Sequence, residues 1–179
     1  YERKGQTQKA ALLYASYMDR HPQSLAMPYH LKRLERGDPP LATVLTPASG
    51  LAEAYLDIAT LLSQENAVDP SLLLARYSLS LRPGDDITRL LVGEVMEIQG
   101  RFDAAVSVYG SIPDTSPHSW NAKLRIASSL EQIGQADKAV NLLKNMVNER
   151  DSRPDALIQL GYILRIQQDF AGAASAYDK

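Results

Sequence analysis

Apolar residues between positions 86 and 117 recur with helical spacing in two short stretches. The first runs from Leu90 through Met96 to a break at Gly100, and the second runs from Phe102 to Tyr109 before a proline. Apolar residues three and four positions apart form one stripe along a helix, and glycine interrupts such a stripe. The pattern therefore predicts two amphipathic helices of about 12 to 15 residues each, joined by a tight turn.

This two-helix pattern repeats along the chain every 34 residues. Small residues in two of the repeated columns are expected where the helices of a pair cross, because a larger side chain would hold the backbones apart. A period of this length is typical of solenoid proteins. The columns that keep the period are Gly93, Ala127 and Gly161; Gly100 and Gly134; Ala105, Ala139 and Ala173; and Tyr109, Leu143 and Tyr177.

The repeated unit resembles the tetratricopeptide repeat, whose 34-residue pattern is W-x2-L-G-x2-Y, then A-x3-F, then P. Counted from Asp86, Gly93 is position 8, Ala105 is position 20, Tyr109 is position 24 and Pro117 is position 32. The family's tryptophan column departs from the pattern and holds Tyr55, Arg89, Lys123 and Leu157. The resemblance implies an all-α fold, a right-handed α-solenoid of stacked antiparallel helix pairs.

The repeat divides the chain into six predicted segments. Residues 1–24 are predicted to be the end of a truncated repeat. Residues 25–49 are predicted to be a degenerate repeat, with a short helix (about Leu25 to Arg36) and a proline-rich loop in place of the second helix. Repeats are predicted at 50–85, 86–119, 120–153 and 154–179, the last truncated in its second helix. Because both ends fall inside a repeat, we expect a fragment of a longer array of bacterial type.

Helix starts are predicted where a side-chain oxygen at the N-cap precedes proline at the first helical position. Ser152 with Asp155 three residues later resembles a capping box. The predicted starts are Thr46-Pro47, Asp69-Pro70 and Ser116-Pro117.

Composition narrows the function without naming it. The chain has 19 Lys and Arg against 21 Asp and Glu, and it has no cysteine. It therefore lacks the basic excess typical of nucleic-acid binding, and thiol chemistry is excluded. No apolar stretch approaches the roughly 18 residues that span a bilayer, so we expect a soluble chain without membrane insertion. Compartment is left open, with a lean from the resemblance towards a bacterial, exported or periplasmic setting.

Residue chemistry predicts neither catalysis nor a cofactor. The three histidines lie far apart, none with a partner at metal-ligand spacing, and no nucleophile-elbow, phosphate-loop or dinucleotide motif is present. We therefore expect no catalytic residue, no metal and no cofactor. The local basic cluster Lys32, Arg33 and Arg36 is interpreted as a solvated helix end.

In proteins that this chain resembles, the first helix of each repeat lines a concave groove with its positions 2, 5, 6, 9 and 12. The twenty such positions here carry six acids and two arginines, so the resemblance implies an acidic groove with an apolar residue at every position 5. The residues predicted to bind a partner are Glu53, Leu56, Asp57, Thr60, Leu90, Glu94, Glu97, Leu124, Arg125, Ser128, Glu131, Ile158, Tyr162 and Arg165.

These residues predict a protein-protein interaction scaffold that binds a peptide or partner helix, basic or amphipathic in character. No repeat has the Lys at position 5 and Asn at position 9 with which family members grip acidic carboxylate tails, so that ligand is disfavoured. An alternative interpretation is that position 5 belongs partly to the core and the acids only solvate the surface.

Two other functions stay open. The solenoid could be the substrate-recognition arm of an enzyme, such as a glycosyltransferase or peptidase, whose catalytic domain lies outside these residues. It could also be a self-assembling structural repeat that associates head to tail through its repeat ends.

Overall fold

A computed structural model describes residues 1–20, 26–39, 46–149 and 154–178, and over these residues the chain is all-α as predicted. A short 3-10 turn, Glu2–Lys4, precedes the first helix, and no strand occurs in the described parts. The ten helices are α1 (Thr7–Arg20), α2 (Ala26–Glu35), α3 (Pro47–Gln64), α4 (Val68–Leu81), α5 (Asp86–Ile98), α6 (Phe102–Gly110), α7 (Ser119–Gln132), α8 (Ala136–Glu149), α9 (Pro154–Ile166) and α10 (Phe170–Tyr177).

The chain forms two compact units, Tyr1–Gly50 and Leu51–Lys179. In the second unit neighbouring helices pack as pairs, and each pair packs on the next one. The predicted short helix corresponds to α2, whereas the predicted proline-rich stretch at 40–45 lies outside the described residues. The division into six repeat segments stays a prediction.

Helices of one pair cross where the repeat places its smallest residues. In α5, a Cβ atom on Gly93 would overlap the ring of Tyr109 in α6, and Gly161 of α9 meets Tyr177 of α10 in the same way. The glycine therefore lets the aromatic ring lie directly on the helix backbone. This confirms the reason that the sequence offered for the small-residue column.

The α3–α4 pair crosses by a different device. Ser71 of α4 donates a hydrogen bond to the Ala59 carbonyl (2.7 Å), and Ser78 donates one to the Ala52 carbonyl (2.8 Å). All four residues are buried. Since a small hydroxyl that reaches a carbonyl satisfies its own polarity, serine replaces the usual alanine here without leaving an unpaired group.

The turn inside each pair repeats as strictly as the helices do. Asn66, Gly100, Gly134 and Gln168 lie 34 residues apart, and their φ angles are 61°, 72°, 75° and 66°. This left-handed conformation suits glycine and is costly for a side chain such as that of glutamine. The sequence pattern identified only the two glycines of this column.

Helix starts are partly as predicted. At α3, Thr46 and Ser49 hydrogen-bond each other's backbone N–H (2.9 and 3.1 Å), which confirms the cap before Pro47. The other two starts were wrong. Helix α4 begins at Val68, because the left-handed turn at Asn66 sets its start, and α7 begins at Ser119. The capping box at Ser152 lies outside the described residues.

In the first unit, the basic cluster is not a solvated helix end. Arg33 is 4% exposed and pairs with Glu2 (2.5 Å), while a second guanidinium nitrogen donates to the Asp38 carbonyl (2.8 Å). The hydrogen bond from Arg33 holds the pKa of Glu2 below its ordinary value. This ion pair joins the chain start to α2, an interaction that spacing in the sequence could not reveal.

Candidate functional site

The predicted binding residues all lie on the first helices of the pairs, α3, α5, α7 and α9. We call the surface formed by these fourteen residues the first-helix face. None of them is fully buried. The exposed members are Asp57, Glu94, Ser128, Ile158, Tyr162 and Arg165, and the half-buried members are Glu53, Leu56, Thr60, Leu90, Glu97, Leu124, Arg125 and Glu131.

The apolar residues at position 5 do not form a uniform strip. Leu56 and Leu90 are half-buried and pack against the core of the second unit. Leu124 is half-buried as well, whereas Ile158 is 59% exposed. The interpretation of position 5 as partly core therefore holds for the earlier helices, and the apolar contact surface is concentrated on α9.

A cavity of about 480 Å³ opens between α7 and α9 on this face. Exposed Ile158 and Tyr162 provide its apolar wall, and Glu131 provides a carboxylate. Buried Ile163 also contributes, a residue that position counting assigned to helix packing. The lining residues are Ser128, Glu131, Asp155, Ile158, Gln159, Tyr162 and Ile163.

Two long side chains of this region hold α7 and α9 together. Gln159 donates to the Leu124 carbonyl (3.0 Å) and to the Ser128 hydroxyl (2.8 Å). The indole N–H of Trp120 donates to a carboxylate oxygen of Asp155 (2.9 Å). Asp155 therefore serves a structural contact, so its charge is not simply available to a partner as the sequence count assumed.

Arg165 extends the aromatic side of the cavity. Its guanidinium carbon lies 5.6 Å from the centroid of the Tyr162 ring, within the range of a cation–π contact. Such a contact favours a defined orientation of an exposed tyrosine. The cavity thus has an arginine beside one wall and a glutamate on another.

A closed polar network lies one repeat earlier, between α5 and α7. Arg125 pairs with Glu97 (2.8 Å), and Ser129 donates to the other oxygen of the same carboxylate (2.6 Å). Arg125 also donates to the hydroxyl of buried Tyr109 (3.3 Å), while Glu94 stays 3.8 Å away. Glu97 is only 13% exposed, so it is a structural residue more than a partner contact.

The pKa values reflect this enclosure. Burial raises the pKa of Tyr109 far above its ordinary value, although the hydrogen bond from Arg125 opposes that effect. Burial by contrast disfavours charge on Arg125, but the bond to Tyr109 and the charges of Glu97 and Glu94 outweigh it, and the pKa of Arg125 is raised. The network therefore holds a neutral tyrosine and a charged arginine at ordinary pH.

Metal and membrane chemistry receive no support from the described residues. Within them, no group of three His, Cys, Asp or Glu side chains could hold a metal ion. None of their helices is both long and apolar enough to cross a bilayer.

Comparison with known proteins identifies the fold. No family model matches the chain. General transcription factor 3C polypeptide 3 of Homo sapiens is 27% identical over 132 residues, which are 73% of this chain and only 14% of the human protein. MamA from Desulfovibrio magneticus RS-1 superposes with a TM-score of 0.63 at 16% identity, covering 94% of this chain and 91% of MamA.

YrrB, described as a TPR protein with an unusual peptide-binding site, superposes with a TM-score of 0.54 at 18% identity. That match covers 68% of this chain and 63% of YrrB. At these identities the likeness concerns the fold. The second unit, with its recurring glycine-ring crossings and turns, is a stack of tetratricopeptide-type helix pairs.

Proposed function

We propose that this chain is a protein-interaction scaffold that binds a partner peptide on its first-helix face. The cavity between α7 and α9 would receive an apolar side chain of that peptide. The observation that carries the proposal is the cavity of about 480 Å³, because it joins exposed apolar walls to a carboxylate in a fold with a peptide-binding relative.

Charge along the face favours a peptide with basic residues. Asp57 and Glu94 are exposed, and Glu131 lines the cavity itself. Arg125 is engaged by Glu97, so it offsets less of this negative potential than its formal charge suggests. Opposite charges at the rim of an interface chiefly set selectivity and association rate. We therefore infer an apolar anchor followed or preceded by lysine or arginine.

The scaffold role assigns no reaction to these residues. The carboxylates nearest the cavity are used for hydrogen bonding or lie beside apolar walls, and no nucleophile stands beside a base there. A nucleic-acid partner is disfavoured by the acidic character of the same surface. Head-to-tail association through the repeat ends stays a separate prediction, for which mass at rising concentration is the measurement.

The proposal is tested by selecting ligands from a random peptide display library on the intact chain. The affinity of the best peptide is then measured by fluorescence anisotropy. We expect selected sequences to combine an aliphatic or aromatic residue with lysine or arginine. Tyr162→Ala and Ile158→Glu should each weaken binding by about tenfold or more. Phe170→Ala, an exposed aromatic on α10, is the matched control and should leave affinity unchanged.

Failure is equally clear in this design. Selected peptides that bind Tyr162→Ala and Ile158→Glu as tightly as the unaltered chain would place recognition elsewhere. Acidic peptides as the dominant selected class would contradict the charge argument.

A further inference from the structure

The pair α3–α4 exposes apolar side chains on one surface. Ile58 and Leu61 of α3 are 47% and 59% exposed, and Leu73 and Tyr77 lie one turn apart on α4, also exposed. Tyr77 contacts Tyr55 of α3, with ring centroids 5.8 Å apart, which connects the two helices on this side. We call Ile58, Leu61, Leu73 and Tyr77 the α3–α4 face.

The later helix pairs bury the same repeat positions. Counterparts of Ile58 and Leu61 lie one, two and three repeats further along the chain, on α5, α7 and α9. They are buried, with one member half-buried: Val92, Val95, Ile126, Ser129, Leu160 and Ile163. There the second helix of the preceding pair covers them, since α4 packs on α5, α6 on α7 and α8 on α9.

The second helices differ in composition at the matching exposed positions. Counterparts of Leu73 and Tyr77 in α6, α8 and α10 are all exposed, as they are in α4, but they are polar: Ser107, Ser111, Asn141, Asn145 and Ser175. Where later pairs meet solvent they therefore carry serine and asparagine, and α4 carries leucine and tyrosine. Clustered apolar exposure of this kind marks an interaction surface.

We propose that the α3–α4 face binds an amphipathic α-helix of a partner protein. That helix takes the place that α4, α6 and α8 hold against the following first helix. The occupant follows from continuity with an interface that the second unit forms three times. It also agrees with the prediction that the repeat before α3 lacks its second helix, the element that would cover this face in a complete repeat.

The covering helices define the chemistry of the partner. Helix α4 presents Leu72 and Leu79 to α5, and α8 buries Val140 and Val147 at its contact with α9. Both pairs are separated by seven residues, which is two helical turns. The partner helix therefore carries aliphatic residues two turns apart on its apolar side.

A helix-stabilised synthetic peptide with the α8 sequence, residues 136–149, is a suitable probe. Binding to the intact chain is measured by fluorescence anisotropy, and protection of α3 amides by hydrogen exchange. We expect saturable binding with new protection in α3. Leu61→Lys should weaken binding by about tenfold or more. Ile98→Lys, a 49% exposed isoleucine of α5 outside this face, should leave binding unchanged.

Leu61 is exposed, so Leu61→Lys should melt at the temperature of the unaltered chain; Ile58→Lys is a second variant with the same expectation. Lack of saturable binding, or equal binding by both variants, would overturn the proposal. A doubled mass that is lost in Leu61→Lys would assign the face to a second copy and overturn the partner helix. Protection of α3 before peptide is added would show that the chain covers the face itself.

Tyr162→Ala separates this surface from the first-helix face. It should leave binding of the α8 peptide unchanged while it abolishes binding of the library-selected peptide. Either proposal can therefore fail while the other stands.

Discussion

The junction between α5 and α7 and the junction between α7 and α9 use equivalent repeat positions but end in opposite states. At the first, Glu97 accepts hydrogen bonds from Arg125 and Ser129, and Arg125 reaches the hydroxyl of Tyr109. Each polar group has a partner, and the carboxylate is nearly enclosed.

One repeat later the partners are missing. Glu131 keeps the carboxylate, but its potential cationic partner becomes a glutamine that hydrogen-bonds to α7 instead, and the hydroxyl donor becomes isoleucine. A cavity remains where the network would lie. The counterparts of Glu97, Arg125, Ser129 and Tyr109 are Glu131, Gln159, Ile163 and Leu143. The comparison teaches that a few side chains, on an unchanged backbone pattern, decide whether a junction is closed or can receive a ligand.

The largest expected effect comes from opening the closed junction. Arg125→Gln removes the cation from Glu97 and leaves a largely enclosed carboxylate with one donor. We expect the free energy of unfolding to fall by about 2 kcal/mol, because an enclosed charged group loses its hydrogen-bond partner. Urea titration measures the change, with Arg76→Gln on the exposed surface of α4 as the control. A loss no greater than that of Arg76→Gln would mean that the network contributes nothing to stability.

The reverse change should close the open junction. Gln159→Arg places a guanidinium at the position that Arg125 occupies one repeat earlier, within reach of Glu131. We expect about tenfold weaker binding of the library-selected peptide, since the carboxylate becomes engaged and the cavity is filled. Asn141→Arg adds the same charge on exposed α8 and should cause no such loss. Unchanged affinity in Gln159→Arg would separate peptide binding from this cavity.

A smaller effect is expected when only the charge of the open junction is removed. Glu131→Gln keeps the size of the side chain but should weaken a basic peptide by about threefold and reduce its dependence on salt. Titrations at low and high ionic strength measure both quantities. Asp103→Asn on α6 is the control for an exposed acid outside the face. An undiminished salt dependence in Glu131→Gln would argue against electrostatic selection here. Glu94→Lys extends the same test to the exposed acid of α5.

The smallest effect tests whether the cavity reflects missing partners or a loosely held last pair. Gln168 takes the left-handed turn conformation that Gly100 and Gly134 take in the middle pairs. Gln168→Gly should stabilise the chain by about 0.5 kcal/mol, because glycine adopts this conformation without steric cost. Thermal melting measures the gain, and Gly84→Ala, at a glycine outside the left-handed region, is a comparison variant. Weaker peptide binding in Gln168→Gly would show that the cavity needs a loose last turn.

Helix pairing was accessible from sequence because each pair is built from local patterns. The turn column and the Gly93–Tyr109 crossing recur every 34 residues, and both are short-range features. Exceptions arose where another chemistry satisfies the same geometry. Ser71 and Ser78 replace alanine because their hydroxyls reach buried carbonyls, and Asn66 replaces the turn glycine.

The candidate site was predictable as a set of positions but not as a set of roles. Counting repeat positions correctly placed Ile158 and Tyr162 on the exposed surface and Glu131 beside them. It could not show that Glu97 is enclosed by residues 28 and 32 positions away, or that Asp155 accepts from Trp120. A comparison of position 12 in one repeat with positions 6 and 10 in the next would have given a signal for the Glu97 network.

The periodic pattern of small, apolar and turn residues thus determined that the chain folds as stacked helix pairs and which helices present their polar positions together. That information is local, since helix propensity and turn conformation depend on residues a few positions apart. Packing of one repeat on the next decided which carboxylates are engaged, where the cavity opens, and that the α3–α4 face is exposed. Those outcomes depend on side chains about 30 residues apart meeting across a helix junction, where the size and charge of each partner compete with water.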